Sequence, residues 1–246
     1  MPVATAVAAE DGGLDGVFVF DHLWPMGSPG RPALWSFAVL AAVASATSRI
    51  RLGPLVARVG LFPEDQLMRL LTSVGGIAGA GRLVAGIGVG DAMSAAENRA
   101  YGLGYEPVVE RLEEARRVLD GLRALGVETW MGARSEHSMA TATAHADAIN
   151  VWGVPAAEVR RLTDAGAAVT WAGQVLVGRG PADVARLVDR YGARPDVVTG
   201  TVDEVAADLV ALGVAGASWC VVAPLDYLAD PQRSVETVCR LAEAVR

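Results

Sequence analysis

Gly81-Arg-Leu-Val-Ala-Gly-Ile-Gly-Val-Gly-Asp91 is the stretch whose reading decides how this chain folds. From Leu83 onward it is apolar without alternation, the pattern of a parallel strand covered on both faces. Its glycines fall at alternate positions, so it lacks the Gly-x-Gly-x-x-Gly spacing that opens a dinucleotide-binding sheet. With it, the candidate strands are Gly16–Phe20, Ile50–Val56, Arg82–Gly88, Val127–Met131, Ala148–Trp152, Val169–Val177 and Ala217–Val222, most of them continuous apolar runs. Between these runs lie Ala- and Leu-rich helical stretches: Ala33–Ser45, Glu64–Ile77, Val108–Leu125, Ser135–His145, Pro181–Tyr191 and Thr201–Leu212. Repeated βα units imply right-handed crossovers and a parallel sheet. Seven such strands with no linker predict one α/β domain over residues 1–246, a (β/α)8 TIM-like barrel rather than a doubly wound sheet.

Helix punctuation supports the reading. Ser94-Ala-Ala-Glu97 and Thr201-Val-Asp-Glu204 both fit the reciprocal capping pattern, and Pro181 suits a first helical turn. Pro2–Gly13 reads as a helix ending at Gly12-Gly13, so the first recognised strand follows a helix and the count is one short of eight. The expectation is an N-terminally truncated barrel. Its native product would start upstream of Met1 with an apolar strand; failing that, Met1–Ala9 folds back or a partner chain covers the gap.

Composition narrows the function. Hydrophobic residues make up 52% and charged residues 20%, which excludes a disordered chain. The formal net charge of −7 argues against a nucleic-acid binder. No segment reads as a signal peptide, and the longest apolar run, Ala33–Ala46, is shorter than a membrane span. A cytoplasmic protein is expected. The thin charged surface and apolar helices such as Ala33–Ser45 predict an oligomer interface. Cys220 and Cys239 read as buried reduced thiols. No grouping of side chains has the spacing of a metal site. The 21 basic residues are all Arg, so Schiff-base chemistry is excluded.

Of the three histidines, His22 is the informative one. It follows the first strand in Phe20-Asp21-His22-Leu23-Trp24, and strand C-terminal ends are where barrel enzymes keep their catalytic groups. Either Asp21-His22 is catalytic, or Asp21 ties down the following loop and His22 is merely polar. His137 and His145 read as exposed. Gly88 and Gly90 would let a flat ligand or a phosphate approach the backbone, with Asp91 pointing into the barrel mouth; a tight turn capped by Asp91 is the other reading. Leu52-Gly53-Pro54-Leu55-Val56 ends a strand with a Gly-Pro kink. The loop Gly132-Ala133-Arg134-Ser135 would offer backbone donors and an arginine to a phosphate, or be an ordinary βα loop. Trp24 lies beside His22 and could wall a planar ligand; the other five tryptophans read as core or rim.

In this order, Ala8–Leu23, Ala46–Gly53, Gly81–Asp91, Ala144–Trp152 and Gly200–Val205 resemble the luciferase-like superfamily of flavin- and deazaflavin-dependent oxidoreductases. The resemblance implies a (β/α)8 barrel with an isoalloxazine-type ring across its mouth, either coenzyme F420, which is favoured, or FMN. It implies hydride transfer or monooxygenation on a small organic substrate, and a homodimer. His22 and Asp91 would lie near the ring and substrate as the catalytic pair. A non-prolyl cis peptide matching Leu55-Val56 would back the ring. Asp21, Trp24, Gly88, Gly90 and the loop Gly132, Ala133, Arg134, Ser135 would contact the cofactor. Two features depart from the family pattern: the first strand is missing, and Arg58-Val-Gly60-Leu-Phe62-Pro63 lacks an Arg-His-Pro-like ending. The missing strand motivates the alternative of a degenerate, non-catalytic paralogue acting as a binding or structural subunit.

Overall fold

The computed structural model describes residues 2–25, 28 and 30–246. In chain order the first part is α1 (Pro2–Asp11), β1 (Gly16–Val19), α2 (Ser36–Ala46), β2 (Arg51–Pro54), β3 (Ala57–Arg58) and α3 (Glu64–Ala78). The middle holds β4 (Val84–Gly88), α4 (Ala92–Ala100), α5 (Val108–Ala124), β5 (Glu128–Gly132), α6 (Glu136–His145) and β6 (Ala148–Trp152). The last part is α7 (Ala156–Asp164), β7 (Val169–Gly178), α8 (Pro181–Tyr191), β8 (Val197–Thr201), α9 (Val202–Val214), β9 (Ala217–Pro224) and α10 (Pro231–Ala244). Packing groups the chain into two compact units, one over residues 15–149 and one joining residues 3–14 to 150–246.

In the unit of residues 15–149, β1 pairs in parallel with β2 from Gly16–Arg51 to Val19–Pro54. Strand β4 pairs in parallel with β3 on one side and β5 on the other. The predicted strand Ile50–Val56 is in fact interrupted. Its β2 part stops at Pro54, the Leu55–Val56 peptide is cis, and β3 starts at Ala57. Leu52, Leu67, Leu71, Ile87, Leu119 and Met131 are fully buried between strands and helices. Trp130 is buried too, stacked on Phe18 at 5.3 Å between ring centroids. Arg82 crosses this core. Its guanidinium donates to the carbonyls of Ile50, Thr47 and Ala78, so one buried cation satisfies the C-terminal ends of α2 and α3.

In the other unit, β7 pairs in parallel with both β8 and β9. Leu176, Leu187 and Val197 form a core cluster there, and buried Trp171 donates its indole N–H to Val154 O at 2.9 Å. The predicted caps hold at two places: Thr201 and Glu204 make the reciprocal cap of α9, and Pro181 sits in the first turn of α8. Elsewhere the sequence reading is corrected. Strand β8 and helices α7 and α10 were not read as elements, because each is short or opens on proline-containing loops that break the apolar pattern. Cys220 and Cys239 are free and half-buried rather than fully buried.

Candidate active site

The site lies within the unit of residues 15–149 and is built outward from α4. This helix starts one turn earlier than the sequence predicts. Asp91, not Ser94, is its N-cap, and Ser94 is the third helical residue that returns the bond to Asp91 N. That register puts Ser94, Glu97 and Asn98 on the buried face at helical spacing. A buried face made of polar side chains needs partners inside the protein.

Glu97 is 1% exposed and its carboxylate is fully used. Oε1 lies 2.7 Å from His22 Nδ1. Oε2 accepts from the backbone N–H of Leu23 at 3.2 Å and from Arg58 Nη2 at 3.1 Å. Arg58 is itself buried, and its Nε and Nη1 have no hydrogen-bond partner among the described residues. Tyr101, just past the end of α4, donates its hydroxyl to Leu23 O at 3.0 Å, so the peptide after His22 is held on both sides. The neutral imidazole therefore carries its proton on Nδ1, facing the carboxylate, and leaves Nε2 without a partner among the described residues.

The residues singled out from sequence fall into three groups. His22 stands at the site with Phe20, whose ring is 6.4 Å away. Trp24 is half-buried and makes no ring contact with His22 among the described residues. Asp91 is close enough for the charge of His22 to act on its carboxyl, but its oxygen is spent on Ser94 N and Oγ. Burial alone would raise its pKa. The hydrogen bonds from Ser94 and the charge of His22 outweigh burial, so the net shift is downward. Asp91 is thus the N-cap of α4, with its carboxyl held below the ordinary value. Asp21 behaves as the tie: Oδ1 accepts from Ser36 Oγ at 2.7 Å and Oδ2 from Arg58 N at 3.1 Å.

The glycine and loop positions differ from expectation in a physical way. A Cβ on Gly88 would come within 2.3 Å of Val56 Cγ2, and one on Gly90, at φ +72°, within 2.8 Å of Arg58 Cδ. Both positions are closed to a larger side chain by the protein's own packing. In the loop Gly132–Ser135, Ala133 is buried. The N–H groups of Arg134 and Ser135 both donate to Ser138 Oγ, so these donors are taken. The exposed guanidinium of Arg134 remains available. Leu55 is buried and Val56 half-buried, and the cis peptide joins them where the resemblance places it. His145 pairs with Asp120 at 2.8 Å, away from this cluster, and His137 is exposed. Glu97, Arg58 and Ser36 are the site residues that sequence reasoning missed. The legible signal for Glu97 was polar residues at i, i+3 and i+4 on a helix otherwise rich in alanine.

The parallel βα units thus bring an imidazole beyond the end of β1 against a buried carboxylate on α4, an arrangement suited to moving a proton. The family model for luciferase-like monooxygenases matches residues 2–191, and the chain belongs to that family. An F420-dependent glucose-6-phosphate dehydrogenase of Segniliparus rotundus is 31% identical over 136 residues, 55% of this chain and 40% of that protein. One of Nocardia farcinica is 31% identical over 132 residues, 54% of this chain and 38% of that protein. The match thus spans well under half the length of these curated relatives. Among solved structures, an F420-dependent secondary alcohol dehydrogenase in complex with an F420-acetone adduct superposes with a TM-score of 0.78 at 14% identity, covering 99% of this chain and 94% of that one. EDTA monooxygenase from Chelativorans sp. BNC1 gives 0.80 at 15% identity, covering 99% and 87%. At such identities the likeness shows the fold, the luciferase-like parallel α/β barrel class.

Proposed function

We propose that this protein is an oxidoreductase that uses coenzyme F420, with FMN as the alternative cofactor, to move a hydride to or from a small organic substrate. The observation that carries the reading is the His22–Glu97 pair. Buried Glu97, neutralised on its far side by Arg58, orients the imidazole and stabilises its protonated form as it develops. Nε2 is then the atom that gives or takes the substrate proton, while the bound ring supplies the hydride step. With an alcohol as substrate, Nε2 would accept the O–H proton while a bound ring would supply the matching hydride acceptor.

The residues fit the ring end of such a cofactor: an open Nε2, the Phe20 ring, and the half-buried Val56 after the cis peptide. At the phosphate end, Arg134 is the available donor. The F420-dependent relatives favour the deazaflavin. A homodimer in the cytoplasm completes the proposal, supported by exposed apolar side chains such as Leu34 at 68% and Val109 at 71%. No helix among the described residues is long and apolar enough to cross a membrane.

Equilibrium titration with F420 and with FMN, followed by fluorescence, tests the reading. Binding of F420 with turnover lost in His22→Ala supports it. Binding of neither cofactor leaves the non-catalytic paralogue as the better account. Sedimentation that gives monomer alone across micromolar concentrations refutes the dimer.

A further inference from the structure

A cavity of about 320 Å³ opens between the loop after β3 and the segment from Asn98 to Arg111. Its size falls within the range of roughly 300–1,000 Å³ seen for small-ligand sites. The polar side chains of Asn98, Tyr105, Glu106 and Arg111 line it together with the apolar side chains of Leu61, Phe62 and Leu103. Asn98 is 1% exposed; its amide donates to Gly104 O at 2.6 Å, but Oδ1 is buried with no partner among the described residues. A buried acceptor in that condition calls for a donor that the protein itself does not supply. Arg111 spends Nε on Glu106 O and Nη1 on Tyr105 Oη, Gly90 O and Val89 O, and its guanidinium lies 4.0 Å over the Tyr105 ring. Its Nη2 makes no hydrogen bond among the described residues. The Glu106 carboxylate likewise makes no ion pair among them.

An arginine with Nη2 open, a carboxylate without an ion pair and an orphaned acceptor thus line one cavity among the described residues. We propose that it is a binding site for an α-amino acid with an apolar side chain. The ligand carboxylate meets Arg111 Nη2, its ammonium donates to Asn98 Oδ1 and to Glu106, and its side chain lies against Leu61, Phe62 and Leu103. A plain carboxylic acid leaves Asn98 Oδ1 without a donor and meets Glu106 with like charge. A plain amine leaves Arg111 uncompensated. Arg58 and Glu97 stand directly before Val59 and Asn98 in the sequence, so an occupant touches the two segments that hold His22 in place.

Calorimetric titration of the full chain with L-phenylalanine, 3-phenylpropionate and phenethylamine tests this without any flavin, so its failure is separate from failure of the cofactor proposal. Phenylalanine is expected to bind roughly tenfold or more tighter than either singly charged analogue, the size of one charge-assisted hydrogen bond. Leu103→Trp, which fills the cavity, should abolish binding. Glu106→Gln, at an exposed position, should reduce the preference for phenylalanine over phenylpropionate even if Leu103→Trp fails to fold. No binding of phenylalanine up to its solubility limit, equal binding of an analogue, or unchanged binding in Glu106→Gln overturns the proposal.

Discussion

The Nδ1 atom of His22 and the Oε1 atom of Glu97 lie 2.7 Å apart although 75 residues separate them in the chain. His22 is on the loop that leaves β1, and Glu97 is in the second turn of α4. Their contact fixes which imidazole nitrogen faces the substrate. Replacing His22 by Ala should therefore lower turnover by about 100- to 10,000-fold while changing cofactor affinity little. Steady-state kinetics beside a binding titration separates the two effects.

Glu97→Gln keeps the shape but leaves Arg58 as an uncompensated buried cation. Breaking a buried pair this way costs about 3–5 kcal/mol. Adding Arg58→Met should recover much of that stability and none of the turnover. Denaturant unfolding of the single and double variants measures the coupling. A double variant that regains activity would show that Glu97 serves stability alone.

Asp91→Ala separates a cap from a catalyst. Loss of an N-cap costs about 0.5–2 kcal/mol. Turnover should fall far less than in His22→Ala, and Asp91→Ser should restore the stability. A fall in turnover as large as that of His22→Ala would return Asp91 to the chemistry.

Asp183 sets an acid limit. The backbone N–H of Arg179 and the guanidinium groups of Arg186 and Arg233 hold its pKa at about 2, below the ordinary 3.8, against the opposing effect of burial. A carboxyl whose pKa is depressed by folding stabilises the protein above its unfolded value and loses that contribution as pH falls through the folded value. Wild-type stability should thus drop between about pH 4 and pH 2 more steeply than that of Asp183→Asn. Thermal midpoints measured across that window check the slope.

Arg82→Met removes the cation that joins the ends of α2 and α3. The stranded carbonyls cost about 1–3 kcal/mol each. A total near 3 kcal/mol lowers the melting temperature by roughly 6–12 °C in a chain of this size. Differential scanning calorimetry reads it directly.

Much of the fold was legible in the sequence because buried parallel strands are mostly apolar without alternation, as β4 is throughout and β6 and β7 are apart from Asn150, Thr170 and Gln174. Strand β8 was not, since Val197–Thr201 is short and follows a turn carrying Pro195. The site was half legible. His22 announced itself as a rare residue at a strand end. Glu97 did not, because Ser94-Ala-Ala-Glu97 has the spacing of a helix start, and only the folded register shows that Asp91 starts the helix instead. Arg58 was hidden for a different reason: nothing local marks an arginine whose partners come from residues 21 and 97. Gly88 and Gly90 were legible as positions of close approach, and the neighbours that come close, Val56 and Arg58, show only in the fold.

The cap at Asp91 also governs how this segment tolerates change in length. An α-helix turns by about 100° per residue, so one residue added or removed between Asp91 and Glu97 swings the carboxylate a quarter-turn or more off His22. The chain from Gly102 to Glu106, beyond the end of α4, carries no such angular constraint on Glu97. In descendants or designed variants of this protein the six-residue interval before Glu97 should therefore keep its length.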